Sequence, residues 1–242
     1  MSDTLFVLFV GSLAAGLTML GGLVAEFRDV PKRVIARLLQ LAAGVLTALV
    51  AVTLMQPALA GGYTIPIIAG FFVGGAAFVI LDFVTSKREA ANKSDTDAVP
   101  SSLYLGILVD MLIDGVVIGL ASTMTLTAGL ILALSIAIST APLALVTISL
   151  AREVGESRRF RQVLFALFFA CIVGGALFGY LVLRNQSLNV RFVMVAVASG
   201  FLITTVTQSI IPEANREGEP SLAALFFVAG LSFYALFTLQ FT

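Results

Sequence analysis

Histidine is absent from this chain, tryptophan is absent too, and cysteine occurs once. Without imidazole there is no Ser-His-Asp triad, no His-Glu-x-x-His zinc protease and no imidazole proton relay. The lone Cys171 excludes an intramolecular disulfide framework and any Cys-rich metal site. Charge is scarce as well, at 12% of residues against about 25% in a soluble domain. The 14 Lys and Arg balance 14 Asp and Glu, so no basic surplus exists to hold a nucleic acid. What the chain has in abundance is apolar surface: 59% hydrophobic residues over 242 positions, with a mean hydropathy of +1.06. One water-bounded core of this size cannot hide that much, so the solvent must be lipid. The composition predicts an all-α polytopic integral membrane protein that is not an enzyme.

A helix crossing about 30 Å of hydrocarbon needs about 20 mostly apolar residues. Eight such windows are predicted, near 5–24, 35–56, 64–84, 103–122, 127–150, 161–183, 191–211 and 221–240. The leader Met-Ser-Asp carries no Lys or Arg, so the first window lacks a signal peptide's positive n-region and is read as a mature span. All but Arg184 and Arg191 of the 14 basic residues fall in or beside loops 1–2, 3–4, 5–6 and 7–8. The positive-inside bias makes those loops cytoplasmic and both termini external. The whole of 1–242 is then a single transmembrane domain, with a polar cytoplasmic linker at 86–102. The short uncharged links at Gly61–Gly62 and Ser122–Thr125 predict hairpins. A faint repeat joins Ala42-Ala43-Gly44-Val45-Leu46, followed by Gln56-Pro57-Ala58, to Ala198-Ser199-Gly200-Phe201-Leu202, followed by Pro212-Glu213-Ala214. The two stretches run in opposite directions across the membrane, the plan of an inverted repeat. Gly70/Gly74, Gly115/Gly119 and Gly174/Gly175/Gly179 are spaced for close helix packing.

Ionisable groups at mid-depth are confined to span 4, where Asp110 and Asp114 lie one helical turn apart on one face. No Lys or Arg lies at comparable depth. The pair is therefore neutralised either by a shared proton or by a cation from solution. A purely structural, protonated pair is the simpler alternative, but two acids on one face are a costly way to join helices. In span 5, Pro142 is a predicted kink: it gives no N–H to the Ile138 carbonyl, beside the Ser139 and Thr140 hydroxyls. Freed carbonyls and hydroxyls complete oxygen shells for cations. Span 7 carries Thr204, Thr205, Thr207, Gln208 and Ser209, of which Gln208 is the candidate ligand. Gln56 and Asp82 near span ends read as ordinary interfacial polar residues.

Eight spans, external termini, a polar loop after span 3 and two polar central helices together resemble the ZIP family of divalent-metal transporters. The family's fourth span reads His-Asn-x-x-(Asp or Glu)-Gly, and here the matching stretch is Asp110-Met111-Leu112-Ile113-Asp114-Gly115. The family's fifth span, two ligands, any residue, proline and a further ligand, is matched by Ser139-Thr140-Ala141-Pro142-Leu143. The resemblance implies a bundle with an inverted 3+2+3 repeat around spans 4 and 5, a homodimer, and metal movement by relative displacement of helix groups. It makes the chain a divergent member without the usual His ligands. Asp114 keeps an acidic ligand, Asp110 stands for His, and Met111 stands for Asn. A two-metal centre is lost and one site of hard oxygen ligands remains, with Met111, Ser139, Thr140 and Gln208 as secondary transport-site residues.

The function expected from this reading is transport of a divalent cation toward the cytoplasm across the cell (inner) membrane. The cation is the substrate, and no cofactor is permanently bound. Zinc prefers nitrogen and sulfur ligands, so an all-oxygen set suits manganese, magnesium or calcium. The alternative is a non-transporting scaffold or metal sensor of the same fold. The sidedness is directly testable in a Cys171→Ser background. Single cysteines at positions 93 and 158 are expected to react with an impermeant maleimide only after right-side-out vesicles are permeabilised. Those at positions 2 and 242 are expected to react without permeabilisation. Labelling of position 93 from outside contradicts the assignment.

Overall fold

The structure, a computed structural model, describes residues 3–91, 101–217 and 220–239, and every regular element among them is helical. In chain order these are α1 (Asp3–Phe27), α2 (Lys32–Ala48), α3 (Gln56–Ala60), α4 (Thr64–Ala91), α5 (Ser101–Met124), α6 (Leu126–Glu153), α7 (Arg158–Leu183), α8 (Leu188–Thr205), α9 (Ile211–Glu217) and α10 (Pro220–Leu239). A π-helical segment, Leu49–Met55, joins α2 to α3 in one continuous helix, and a second, Val206–Ile210, joins α8 to α9. Seven helices among the described residues are long and apolar enough to cross a membrane: α1, Lys32–Ala60, Thr64–Val84 of α4, Ile107–Met124 of α5, α6, α7 and Leu188–Arg216. They coincide with the first seven expected windows. The eighth window falls on α10, whose described apolar part is Ala224–Leu239. The fold is that of a polytopic membrane protein. Large apolar side chains such as Ile65, Phe72, Phe27 and Leu239 stand on its outside, where water would penalise them and lipid does not.

Local chemistry sets the helix ends. Pro31 precedes α2 with φ −59° and ψ 138°, extended backbone that stops α1 from running on. Thr125 caps α6 by accepting from the Ala128 N–H at 3.0 Å, and Ser157 caps α7 by accepting from Phe160 at 3.2 Å. Gly62, at φ +83°, makes the expected tight link between α3 and α4. The expected linker at 86–102 is shorter than its sequence range, because α4 runs to Ala91 and α5 starts at Ser101. Its centre at 92–100, with Lys93, and the expected external residues 2 and 242 lie outside the described residues.

Packing sorts the helices into two groups. In the first, α5 meets α7 through Gly115, Gly119, Gly175 and Gly179, and α1 crosses α6 at Gly21. A Cβ on Gly119 would lie 2.1 Å from the Ala176 carbonyl oxygen, and one on Gly21 only 2.0 Å from that of Ala141. In the second group, α2 meets α10 through Gly44 and Gly230, and α4 meets α8 through Gly74 and Gly200. Each close approach made by a described glycine stays within one group. The seam between the groups runs where α6 faces α2 and α5 faces α8.

Polar bonds occur within each group and also cross the seam, where Lys32 pairs with Glu153 at 3.4 Å and Arg191 donates to the Thr123 carbonyl at 2.8 Å. Within the first group Arg161 forks onto Glu26 at 2.7 and 2.9 Å, and Arg152 pairs with Asp29 at 2.9 Å. Within the second, Gln40 donates to Asn215 at 3.0 Å and Thr53 bonds Tyr234 at 2.6 Å. The glycine contacts give a direct test. Gly119→Ala drives its Cβ into backbone and is expected to destabilise the protein by about 1–3 kcal/mol, read as a lower melting temperature in detergent. Gly174→Ala, with no heavy atom within 4 Å of the added carbon, is expected to be neutral or slightly stabilising. Equal effects from the two would contradict glycine-set packing.

Candidate cation site in the membrane

Asp110 and Asp114 lie mid-way along α5, 3% and 0% exposed. Helical spacing puts the two carboxylates on one face with Cβ atoms about 5–6 Å apart, near enough for Asp110 to act electrostatically on Asp114. None of their four carboxylate oxygens has a hydrogen-bond partner. Buried polar groups are nearly always paired, and a carboxylate left unpaired in low dielectric is far more costly than a neutral group. The arrangement is a set of hard acceptors that a shared proton or a cation would neutralise.

The neighbour across the seam is Thr205 of α8, a buried residue whose hydroxyl comes up to Asp110. The hydroxyl lies between two acceptors, the Asp110 carboxylate and the Phe201 carbonyl at 3.1 Å, and its single proton serves one of them at a time. Thr205 belongs to the polar run expected on span 7. Gln208, chosen from that run as the ligand, is exposed together with Thr207 and Ser209. The π-helical segment Val206–Ile210 begins just after Thr205, and its wider turn carries Gln208 further round from the face that Thr205 occupies.

Span 5 is also arranged differently from the expected ligand set. α6 continues through Pro142 as one helix. Ser139 and Thr140 are buried, but both hydroxyls donate to the Ile136 carbonyl at 2.8 Å. With its proton used there, Thr140 accepts from Thr18 of α1 at 2.9 Å. Thr140 and Ala141 therefore face α1, where Gly21 lets the two backbones close, and neither Ser139 nor Thr140 bonds a carboxylate. Pro142 still gives no N–H to the Ile138 carbonyl. Met111 is fully buried and shares by helical spacing the face of Gly115 and Gly119, which packs on α7, so its thioether lies one position round from the acids. Gln56 and Asp82 are exposed, Asp82 near the end of the apolar stretch Thr64–Val84.

Among the described residues no group of three or more Asp, Glu, Cys or His forms a closed metal cage. Two carboxylates with up to four oxygens fit a hard cation that keeps part of its own water shell, the way magnesium-like ions are commonly held. At the end of the seam where the basic loops lie, a cavity of about 340 Å³ opens between Asp29, Lys32, Ile35, Val146, Glu153 and Glu213. Compared with known protein families and with curated proteins, the chain matches none.

Because no donor holds the Asp114 carboxylate, Asp114→Asn removes charge without removing a bond. The metal-free variant is expected to melt at the parent's temperature or above, measured by circular dichroism in detergent. A fall of several degrees would mean that the carboxylate is held by structural interactions.

Proposed function

We propose that this chain is a ZIP-like transporter that carries a divalent cation toward the cytoplasm, with Asp110 and Asp114 as its principal ligands and Thr205 beside them. The observation that carries this reading is the buried pair of carboxylates with four unpartnered oxygens and no counter-ion. A charge at this depth is expensive and by default marks an ion pathway. Asp110 also stands on the α5–α8 side of the seam, so movement of one helix group against the other changes the surroundings of the cation. Confinement of the glycine contacts to the two groups supports movement of that kind, since each group keeps its own close packing.

We read the bundle as eight spans with α10 as the last, arranged as an inverted 3+2+3 repeat. Two contacts support the repeat. Leu41 and Gly44 of α2 meet Phe227 and Gly230 of α10, and Val197 and Gly200 of α8 meet Phe71 and Gly74 of α4. One displacement along the chain carries Leu41 to Val197, Gly44 to Gly200, Phe71 to Phe227 and Gly74 to Gly230. Both repeats also place a π-helical segment just before a short proline-bearing helix, Gln56-Pro57 in one and Ile211-Pro212 in the other.

The ligand chemistry favours manganese or another hard divalent ion over zinc held in the family's usual way. Proteoliposomes are expected to take up Mn²⁺ down its gradient, and uptake is expected to be lost in Asp110→Ala/Asp114→Ala. Mn²⁺ is also expected to raise the melting temperature of the parent but not of the double variant. The second reading, a non-transporting scaffold or sensor, draws on the absence of a third acidic ligand among the described residues. Metal-dependent stabilisation without uptake would favour it. Neither uptake nor stabilisation would remove the cation site altogether.

A further inference from the structure

The two ends of the seam differ. At the end bearing the basic loops it opens into the cavity of about 340 Å³. The ion pair that crosses there, Lys32 with Glu153 at 3.4 Å, has both side chains 60% exposed, a class of interaction that holds little. At the opposite end stands Arg191, in the first turn of α8, with its guanidinium on three backbone carbonyls. Nη1 donates to Thr123 at 2.8 Å, Nη2 to Arg184 at 2.6 Å and Nε to Gln186 at 3.1 Å. Thr123 lies in the last turn of α5, and Arg184 caps the end of α7. These are helix C-termini, where carbonyls lack partners and the backbone dipoles present negative charge. A planar cation with several fixed donors suits them as a single ammonium does not. The bond to Thr123 joins the second helix group to the first, and those to Arg184 and Gln186 fix the strand of chain that connects the groups.

We propose that Arg191 is a latch that holds the seam closed at the end opposite the cavity, so that the open and closed ends are set by one side chain. With the guanidinium in place, α5 and the start of α8 stay together, and the end that stands open is the one bearing the cavity. Release of Thr123 lets that end part. The bond is to a carbonyl of a helix terminus, so it can break and reform without exposing a buried charge. The inference rests on the two-group reading of the proposed function.

The test is a distance measurement in nanodiscs without metal, using spin labels in a Cys171→Ser background. Labels at Thr127→Cys of α6 and Leu188→Cys of α8, both exposed, span the latched end. A control pair at Tyr63→Cys and Leu188→Cys lies within the second group. Arg191→Ala is expected to lengthen and broaden the distribution across the latched end and to leave the control pair unchanged. Arg191→Lys, which keeps the charge but not the fork, is expected to broaden it too and gives the same reading if the alanine variant does not fold. An unchanged distribution across the latched end, or equal broadening of the control pair, overturns the latch. Since no metal enters the measurement, that failure is distinguishable from failure of the cation site.

Discussion

Lipid gives helices no hydrophobic reason to associate, because a leucine is as well solvated by acyl chains as by another leucine. Association has to come from backbones brought close enough for dispersion and polar contacts to accumulate, and in this protein glycine provides that closeness. The α5–α7 contact places Gly115 and Gly119 against the backbone of Ile172 and Ala176, with Gly175 and Gly179 against Leu112 and Val116 in return. The α2–α10 and α4–α8 contacts repeat the device. Because these approaches stay inside two helix groups, the seam is left as the softer boundary. Its contents, among them an acidic pair, a threonine and a cavity at one end, are what the stiff groups hold in register.

On that frame the carboxylates of α5 stand out, although the buried Tyr104 and Ser199 hydroxyls also lack a hydrogen-bond partner. The other buried polar side chains largely turn inward onto their own helices, as Thr147 does toward Leu143 and Ser135 toward Ile131, or meet a polar partner as Gln40 and Tyr234 do. Asp114 does neither, and Asp110 has only the Thr205 hydroxyl beside it. Under the proposed function, these two acids are neutralised by the cation that they bind. Their position beside α8 ties that event to the relation between the two groups.

The sequence made the helices legible because twenty-residue apolar windows are a strong signal in lipid, while the caps at Thr125 and Ser157 and the stop at Pro31 emerged only from the structure. It also made the acidic pair legible, since i and i+4 on an apolar helix fix a common face. What it hid was the orientation of neighbouring hydroxyls. Ser139 and Thr140 are the right types at the right spacing, but a hydroxyl in an apolar helix satisfies itself on the carbonyl one turn back, and Thr18 on α1 was the partner that drew Thr140 away. Gln208 stands exposed for a different reason. A regular helix extended through span 7 carries it toward the site, whereas the π-helical segment before Ile211 carries it out and leaves Thr205 as the residue beside Asp110. Gly174, read as part of a packing stripe, faces open space while Gly175 makes the contact, because a one-residue difference is a large rotation on a helix.

The central claim is that a divalent cation sits on the carboxylates of α5, and anomalous diffraction addresses it directly. Crystals grown with Mn²⁺ and measured on both sides of the manganese edge are expected to show one anomalous peak at bonding distance from oxygens of both Asp110 and Asp114. That peak is expected to vanish in Asp114→Asn. Density for manganese elsewhere in the bundle with none between these two side chains, or a peak that survives the substitution unchanged, would contradict the account.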